Sequence, residues 1–344
     1  MAGRRPRTSE LSPESPRPFH GLSQLKTISL STGSSLEVEL MNLGAGIKSV
    51  CVPAPKGPVN AVLAYPDPGH YLHDPFYLGV TVGRHANRIA DARFDLSGKT
   101  HKLTPTPGAG GHSLHGGETG FSHRLWDISQ VHGSHSAEFS LVSNDGDQGY
   151  PGRLEATVRY TVLEDWKLMI DFQAVADADT VVSLANHAYF NLNGDGTGAC
   201  NHQLQINADR YTPLLPDGIP TGEIALVADT CLDFRQPVAI ADRLPSVENG
   251  FDHNYVLEGS TSQPCHAASL RSPLTRLRMN LYTTQPGLQF YSGQQLSGFF
   301  DPGAGICLEA QGFPNAPNEP GFPGSVLRAG DVYRQQTIYE FLAD

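Results

Sequence analysis

Residues 153–175 read RLEATVRYTVLEDWKLMIDFQAV, and two runs in this stretch alternate between apolar and polar side chains. In each run the apolar side chains share one face: Leu154, Ala156, Val158, Tyr160 and Val162 in the first, Trp166, Leu168, Ile170 and Phe172 in the second. A period of two is typical of antiparallel strands with one buried face. The LEDW segment at 163–166 is short enough to be a hairpin connection. This stretch therefore predicts a pair of antiparallel strands.

The same alternation recurs elsewhere in the chain, in LEVEL at 36–40 and in RLRMNLY at 276–282. No stretch keeps an apolar period of 3.6 for three turns, so we expect few and short helices. No repeat of 20 to 50 residues is visible, which argues against a propeller. The fold class predicted for residues 21–344 is all-β, a single large antiparallel β-sandwich. The loops that are candidates for lining a site are 104–124, 190–202 and 310–330.

Composition excludes several classes of partner for this chain of 344 residues. A formal net charge of −11 argues against nucleic acid and anionic membrane surfaces as partners. No run of about 18 apolar residues exists, so no membrane span is expected. The five cysteines are scattered and never form a C-x-x-C pair, which favours a reduced, cytoplasmic chain. Residues 1–20, rich in Arg, Pro and Ser, are predicted to be a disordered tail.

No motif for a metal or an organic cofactor is complete in this sequence. The segment NDGDQGYPGRLE at 144–155 resembles a calcium loop, but Gly146 and Gln148 occupy positions that need charged oxygen ligands. The segment GDGTGAC at 194–200 has the wrong glycine spacing for a dinucleotide loop. There is no H-E-x-x-H, no Walker loop and no G-x-S-x-G. We therefore expect neither a metal nor a cofactor.

Two histidines lie in segments that otherwise have β-strand and turn character. His187 lies within SLANHAYFNLNGDG at 183–196, and His115 precedes a glycine pair in HSLHGGETGF at 112–121. A glycine pair lets the backbone approach a ligand closely. The structural alternative for a single histidine such as His187 is a core side chain bonded to a backbone carbonyl.

Two carboxylates occupy comparable positions. Asp252 enters a strand after an Asn-Gly turn in ENGFDHNYVL at 248–257, and Glu309 closes an apolar strand in GICLEAQGFPNAPN at 305–318. A glutamate that closes such a strand is poorly solvated, which raises its pKa toward the range of a general base. The alternatives are that Asp252 stabilises its turn and that Glu309 is an exposed strand end.

Three further polar side chains stand in short motifs. GRHANRI at 83–89 contains Asn87 and Arg88, and QPGLQFYSG at 285–293 contains Gln289 among aromatic residues. Arg88 could equally pair with any carboxylate.

Together, in order and spacing, these segments resemble the signature segments of the aldose 1-epimerases, also called galactose mutarotases. The resemblance extends over residues 25–342. It implies a β-sandwich of the galactose mutarotase-like type, an isomerase without metal or organic cofactor, and a free aldose as substrate. The chain is further expected to be a monomer or a homodimer.

The resemblance also implies roles for individual residues. Glu309 matches the catalytic base, His187 the catalytic acid and His115 a second active-site histidine. The matches to substrate-binding residues are Asn87, Arg88, Asp252 and Gln289. The sequence departs from the family pattern beside these motifs, at His85, Ala188 and Gly312, and these departures concern sugar preference more than chemistry.

The chemistry of anomer interconversion explains why such groups are needed. Ring opening removes a proton from the C1 hydroxyl while another proton reaches the ring oxygen, and closure reverses both transfers. We expect an ionised Glu309 and a protonated His187 to do this together. The ordinary histidine pKa of about 6.5 permits an imidazolium near neutrality, and a carboxylate such as Asp252 would favour that charged form.

Three other functions remain open at this point. A glycoside hydrolase would use two carboxylates, here Glu309 and Asp252, on either side of a glycosidic bond. A non-catalytic carbohydrate-binding protein could share the scaffold, because a fold does not determine function. A hexose-6-phosphate 1-epimerase would need an additional cluster of Arg or Lys for the phosphate.

Overall fold

Short strands make up most of the regular structure. The structure is a computed structural model, and it describes residues 21–33, 36–194, 197–258 and 262–343. The tail predicted for residues 1–20 lies outside the described residues. In chain order the strands are β1 Thr27–Ser31, β2 Glu37–Met41, β3 Gly46–Val52, β4 Val59–Asn60, β5 Thr81–Val82, β6 Arg88–Ile89, β7 Arg93–Leu96, β8 Lys99–Lys102, β9 Ser113–Leu114, β10 Asp127–His132, β11 Ser136–Ser143, β12 Leu154–Leu163, β13 Lys167–Ala176, β14 Thr180–Val181, β15 Ala185–Asn186, β16 Tyr189–Phe190, β17 Gln203–Ile206, β18 Arg210–Tyr211, β19 Ala225–Leu226, β20 Val238–Ala239, β21 Asp252–Val256, β22 Cys265–Arg271, β23 Leu277–Thr283, β24 Gly287–Tyr291, β25 Ile306–Gln311, β26 Val326–Leu327 and β27 Val332–Ala343.

Helices are few and short, as predicted. Within the described ranges the α-helix α1 spans Ile240–Arg243. The remaining helical turns are 3₁₀ helices at Leu22–Gln24, Pro68–His73, Ala90–Ala92, Phe121–His123, Asp147–Gly149, Ala199–Asn201, Leu244–Ser246 and Ala316–Asn318. No helix in these ranges is long and apolar enough to cross a membrane.

The hairpin predicted at 153–175 is confirmed. Strands β12 and β13 pair antiparallel from Leu154 opposite Ala176 to Leu163 opposite Lys167. Side chains of β12 alternate between buried and more exposed positions along its length. Trp166 lies in the connection rather than in β13, since the turn takes residues 164–166. The strands predicted at 36–40 and 276–282 are also present, each shifted by one residue.

Two large sheets of antiparallel neighbours build the molecule. The larger has nine strands in the order β10-β11-β12-β13-β27-β23-β22-β17-β20, and the smaller has six in the order β16-β25-β24-β21-β18-β19. A further sheet of four strands follows the chain order from β1 to β4.

The two large sheets face each other across one apolar core. Inward side chains of both sheets belong to the same buried cluster, for example Val158 of β12 and Phe290 of β24. Between the sheets, the rings of Phe190 and Tyr339 lie 5.0 Å apart. The predicted β-sandwich is therefore confirmed, and a single domain over residues 21–344 stays a prediction.

We expect the inward face of β12 to contribute much more stability than the outward face of β13. Val158 is 0% exposed and Val175 is 41% exposed. Val158→Ala removes two buried methyl-sized groups and leaves a cavity, which should lower the free energy of unfolding by about 2 kcal/mol. The matched control Val175→Ala should change it by less than about 0.5 kcal/mol. Urea-induced unfolding of both variants measures this, and equal effects would contradict the assigned faces.

Candidate active site

One face of the six-stranded sheet carries the predicted polar residues. Gln289 of β24 lies opposite Glu309 of β25 and opposite Asn254 of β21. Residues directly opposite each other project to the same face, as do residues two positions apart on one strand. The side chains that share this face therefore include Asp252, Asn254, Gln289, Tyr291, Cys307 and Glu309.

The other face of the same strands belongs to the core. Leu288, Phe290 and Leu308 alternate with the polar residues and lie in the central apolar cluster. The strand period of two thus separates the core from the site, and packing of the sandwich fixes the orientation of the polar side chains.

His187 reaches the site from the end of β15. Its backbone N–H donates to the carbonyl of Val80 at 2.9 Å, and its carbonyl accepts from the N–H of Gly79 at 3.0 Å. The ring lies 5.2 Å from the ring of His115, nearly perpendicular to it at 82°. The two histidines predicted from separate motifs are therefore neighbours.

His115 and Asn87 are joined by two hydrogen bonds that both use the main chain of Asn87. The His115 N–H donates to the carbonyl of Asn87 at 3.1 Å, and the Asn87 N–H donates to Nδ1 of His115 at 3.2 Å. Both residues have positive φ, 62° at Asn87 and 53° at His115. A Cβ at Gly116 would lie 1.8 Å from the carbonyl oxygen of Gly83, so the close backbone approach expected of the glycine pair is present.

The Asn87 contact decides which nitrogen of His115 carries the hydrogen. A neutral imidazole has one N–H, and the nitrogen that accepts a hydrogen bond is the other one. Because Nδ1 accepts, the hydrogen stands on Nε2. Burial, followed by the neighbouring His187, also lowers the pKa of His115 well below its ordinary value. His115 is therefore a fixed neutral hydrogen-bond donor.

Glu309 and His187 form the central pair. Nε2 of His187 lies 3.8 Å from Oε1 of Glu309, and both side chains are buried. This separation exceeds a direct hydrogen bond. Among the described residues, Oε2 of Glu309 has no hydrogen-bond partner. The interpretation of Glu309 as an exposed strand end is wrong.

Burial shifts the pKa values of this pair in opposite directions. It raises the pKa of Glu309 well above its ordinary value, with a further contribution from Asp252 and opposition from Arg88. It lowers the pKa of His187 to about 4, against a smaller opposing effect of Asp252. The prediction of an imidazolium near neutrality is therefore wrong, because desolvation outweighs the attraction of Asp252.

Asp252 is oriented by two partners. Its Oδ1 accepts from Nε2 of Gln289 at 2.7 Å, and its Oδ2 lies 3.4 Å from Nη1 of Arg88. The alternative pairing of Arg88 with a carboxylate is thus observed, and the partner is a site residue. The backbone of Arg88 is held as well, since its carbonyl accepts from the N–H of Asn315 at 2.8 Å.

These side chains surround a pocket of about 200 Å³. This volume suits a small ligand, and the polar lining suits one with many polar groups. Six of the seven predicted site residues line it, and Gln289 lies behind Asp252 instead.

The lining residues that were not predicted from the sequence are Pro75, Phe76, Tyr77, Leu114, Tyr189, Tyr291 and Gln295. The Tyr77 ring packs 4.6 Å from that of His115. The sequence signal that could have indicated this part of the lining is the aromatic pair Phe76 and Tyr77, shortly before GRHANRI.

The candidate loops contribute unequally. Loop 104–124 supplies Leu114 and His115, whereas the pocket lining includes no described residue of 190–202 or 310–330. The three departures, at His85, Ala188 and Gly312, also lie outside the lining. His85 is fully buried, and burial lowers its pKa to about 4. The arrangement therefore argues against direct contact between these three residues and a ligand in this pocket.

Three of the site residues could also be considered as metal ligands. Donor atoms of His115, His187 and Glu309 lie within 4.8 Å of one another. A metal-bound histidine generally donates its second ring N–H to a neighbour. His115 does the reverse, since Nδ1 accepts from Asn87 and leaves hydrogen on Nε2. The arrangement suits hydrogen bonding to a ligand better than metal coordination, and the absence of a metal requirement stays a prediction.

A buried carboxyl faces an imidazole in a polar pocket on a β-sandwich, an arrangement that suits acid–base chemistry on a small polar ligand. The family model described as Aldose 1-epimerase matches residues 26–340. The chain belongs to the aldose 1-epimerase family, whose members are isomerases.

Individual relatives agree over nearly their whole length. The chain is 36% identical over 334 residues to Aldose 1-epimerase from Escherichia coli (strain K12), covering 93% of this chain and 96% of that protein. It is 39% identical over 317 residues to Galactose mutarotase from Bos taurus, covering 89% and 91%. The crystal structure of an aldose epimerase homologue from C. elegans superposes with a TM-score of 0.87 at 29% identity, covering 93% and 99%.

Proposed function

We propose that this protein interconverts the α- and β-anomers of free aldohexoses such as galactose and glucose, with Glu309 and His187 exchanging protons with the sugar. The observation that carries the proposal is the geometry of the pair, with Nε2 and Oε1 3.8 Å apart in a buried pocket. Membership of the aldose 1-epimerase family supports the reaction type.

Burial favours the neutral form of the pair, so in this proposal hydrogen bonds from sugar hydroxyls to Glu309 stabilise the ionised carboxylate and the protonated His187. Ring opening starts from that ion pair and uses each group once. The Glu309 carboxylate takes the proton of the C1 hydroxyl, the bond from C1 to the ring oxygen breaks, and a carbonyl forms at C1. The ring oxygen receives the proton from Nε2 of His187. After rotation about the C1–C2 bond, Glu309 returns its proton to the C1 oxygen and the hydroxyl at C5 returns its proton to Nε2. The pair ends the cycle as it began.

His115 has a different role in this proposal. Its Nδ1 is blocked by the Asn87 N–H, so the ring cannot take a second proton without losing that hydrogen bond. We assign it a hydrogen bond from Nε2–H to the sugar oxygen that carries developing charge, which favours the transition state over the ground state. Proton transfer belongs to His187.

Asp252, Arg88 and Asn87 serve to bind sugar hydroxyls. Asp252 accepts and Arg88 donates, and Gln289 keeps the aspartate in place from behind at 2.7 Å. Interactions with hydroxyls that do not react fix the position of C1 between the acid and the base, which accelerates the reaction through orientation.

The alternatives fit the site less well. A hydrolase would use Asp252 as its second catalytic carboxyl and would leave His187 without a role, yet His187 faces Glu309 at 3.8 Å. A sugar phosphate would need several cations, and Arg88 is the one Lys or Arg among the described residues that line the pocket. A purely binding protein would not need an acid and a base in this arrangement. A cytoplasmic location and a monomeric or homodimeric state stay predictions.

Polarimetry on freshly dissolved α-D-glucose, α-D-galactose and L-arabinose tests the activity. We expect the protein to accelerate the change of optical rotation, with no added metal or nucleotide. Dialysis against a strong chelator should leave the rate unchanged, because the proposed proton transfers need no metal. Loss of the rate on dialysis, with recovery on adding a metal back, would contradict the cofactor-free mechanism.

Removal of either proton-transfer group should nearly abolish turnover. Glu309→Gln keeps the shape of the base and His187→Asn keeps a hydrogen-bond donor, and each should lower kcat about 10²-fold or more. A 10²-fold loss corresponds to about 2.7 kcal/mol of transition-state stabilisation. The double variant should be little worse than the worse single one, because the groups act in one transfer. A single variant that keeps more than about a tenth of kcat would remove its residue from this role.

The pH dependence of kcat/KM should be bell-shaped, and the pKa shifts of His187 and Glu309 assign its two limbs. Catalysis needs one proton on the pair. Below a pH of about 4, His187 gains a second proton and no base remains, so the rate falls on the acid side. Above the raised pKa of Glu309 the shared proton is lost and no acid remains. Both limbs are properties of the pair. An acid limb near the ordinary histidine pKa would contradict this assignment.

A further inference from the structure

Cys307 contacts the side of His187 that faces away from Glu309. Its sulfur lies 3.5 Å from Nδ1 of His187, while Nε2 of the same ring lies 3.8 Å from Glu309. Cys307 and Glu309 are two residues apart on β25 and share a face. The imidazole therefore bridges two neighbouring side chains of one strand, the sulfur at one nitrogen and the base at the other.

We propose that Cys307 is a positioning residue for the acid: its sulfur accepts a hydrogen bond from Nδ1–H of His187 and thereby confines proton exchange with the sugar to Nε2. The inference rests on the proposed function, because it assigns a role within that proton transfer.

The proposed proton transfers require the neutral His187 ring to carry its hydrogen on Nδ1. When Nε2 gives its proton to the ring oxygen, the neutral ring must keep its hydrogen on Nδ1. When the ring closes, Nε2 must offer a lone pair to take the proton back. A ring with its hydrogen on Nε2 could do neither step, so an acceptor beside Nδ1 favours the working tautomer.

The neighbouring His115 is held in the opposite way, because the backbone N–H of Asn87 donates to its Nδ1. In this proposal the two imidazoles are therefore opposite tautomers.

The sulfur suits the task because it remains a neutral thiol. Cys307 is fully buried, and burial together with the nearby Glu309 raises the pKa of the thiol well above its ordinary value. A carboxylate in this place would stabilise the imidazolium and hold the proton on the ring. A neutral, weak acceptor orients the ring and still allows Nε2 to release its proton.

The other side chains that face His187 keep their identity in a Cys307 variant. The rings of His115, Tyr77 and Tyr189 lie 5.2, 5.8 and 5.1 Å from the imidazole. Asp252 acts on it through its charge, and Glu309 faces Nε2. Because Tyr189 also interacts with the Cys307 thiol, a direct readout of the His187 tautomer is needed to test the role of the sulfur.

The experiment compares Cys307→Ala, Cys307→Ser and the control Cys200→Ala in the full-length protein. Cys200 is partly buried, and its sulfur contacts the carbonyl of Gly303 at 3.9 Å. In polarimetry we expect Cys307→Ala to lower kcat about tenfold at an unchanged KM, the size of effect of one lost hydrogen bond to a charged group. Cys307→Ser should recover most of kcat, because a hydroxyl also accepts. Cys200→Ala should retain the wild-type kcat.

The second readout is the tautomer of His187 itself. ¹⁵N NMR of the labelled protein distinguishes a protonated from an unprotonated ring nitrogen, and we expect Nδ1–H in the wild type and a shift toward Nε2–H in Cys307→Ala. The acid limb of the pH profile should move in the same variant. An unchanged tautomer and pH profile in a folded Cys307→Ala would overturn the proposal, as would equal losses of kcat in the Ala and Ser variants.

The two proposals can fail separately. If the wild type does not accelerate mutarotation, the proposed function is wrong, and the NMR measurement still decides whether Cys307 sets the tautomer. If Cys307→Ala does not fold, Cys307→Ser carries the test: a wild-type tautomer and near wild-type kcat support the role, and an Nε2–H tautomer overturns it.

Discussion

The transfer of the Glu309 carboxyl out of water is the constraint on which the site depends. A buried carboxylate is unfavourable without a partner, and here Oε2 has none among the described residues. The free energy that keeps the group in place comes from the opposite face of β25, where Leu308 packs into the core between the sheets. Folding therefore raises the pKa of the carboxyl, and stability must fall as pH rises from the ordinary value through that raised pKa. Burial of Glu309 therefore both raises the pKa of its carboxyl and lowers the stability of the fold at high pH.

The same strand geometry gives the site its precision. Gln289, Glu309 and Asn254 lie in one row across three strands whose register is fixed by backbone hydrogen bonds. A shift of one residue would move each of these side chains into the core. The groups that come from loops are held by main-chain contacts instead, as in the reciprocal bonds of Asn87 and His115. A paired strand therefore holds Glu309, the proposed base, and hydrogen bonds to the main chain hold Asn87 and His115, which are proposed to contact the sugar.

Sequence patterns predicted the strands with one exposed face well and the fully buried strands poorly. Strands β12 and β13 alternate because one face is more exposed, whereas every residue of β25 is buried and a period of two carries no signal there. The site residues were found through resemblance of several motifs, and the local sequence could not reveal their surroundings. Attraction between Asp252 and His187 was foreseeable from residue types, but the larger effect of burial was not. The contact of Cys307 with His187 joins residues 120 positions apart, so it becomes visible only in the fold.

The opposite pKa shifts make physical sense for a reaction that must run equally well in both directions. A high pKa on Glu309 and a low one on His187 leave the pair with a single shared proton over a wide range of pH. In the proposed mechanism, the neutral form, with carboxyl and imidazole, follows ring opening, and the ion pair precedes it. Burial alone favours the neutral form, and hydroxyls of a bound sugar that donate to Glu309 favour the ion pair. In the proposed mechanism a bound sugar therefore brings the two states closer in free energy. Fast exchange between two anomers of similar stability requires that neither direction of proton transfer is strongly uphill.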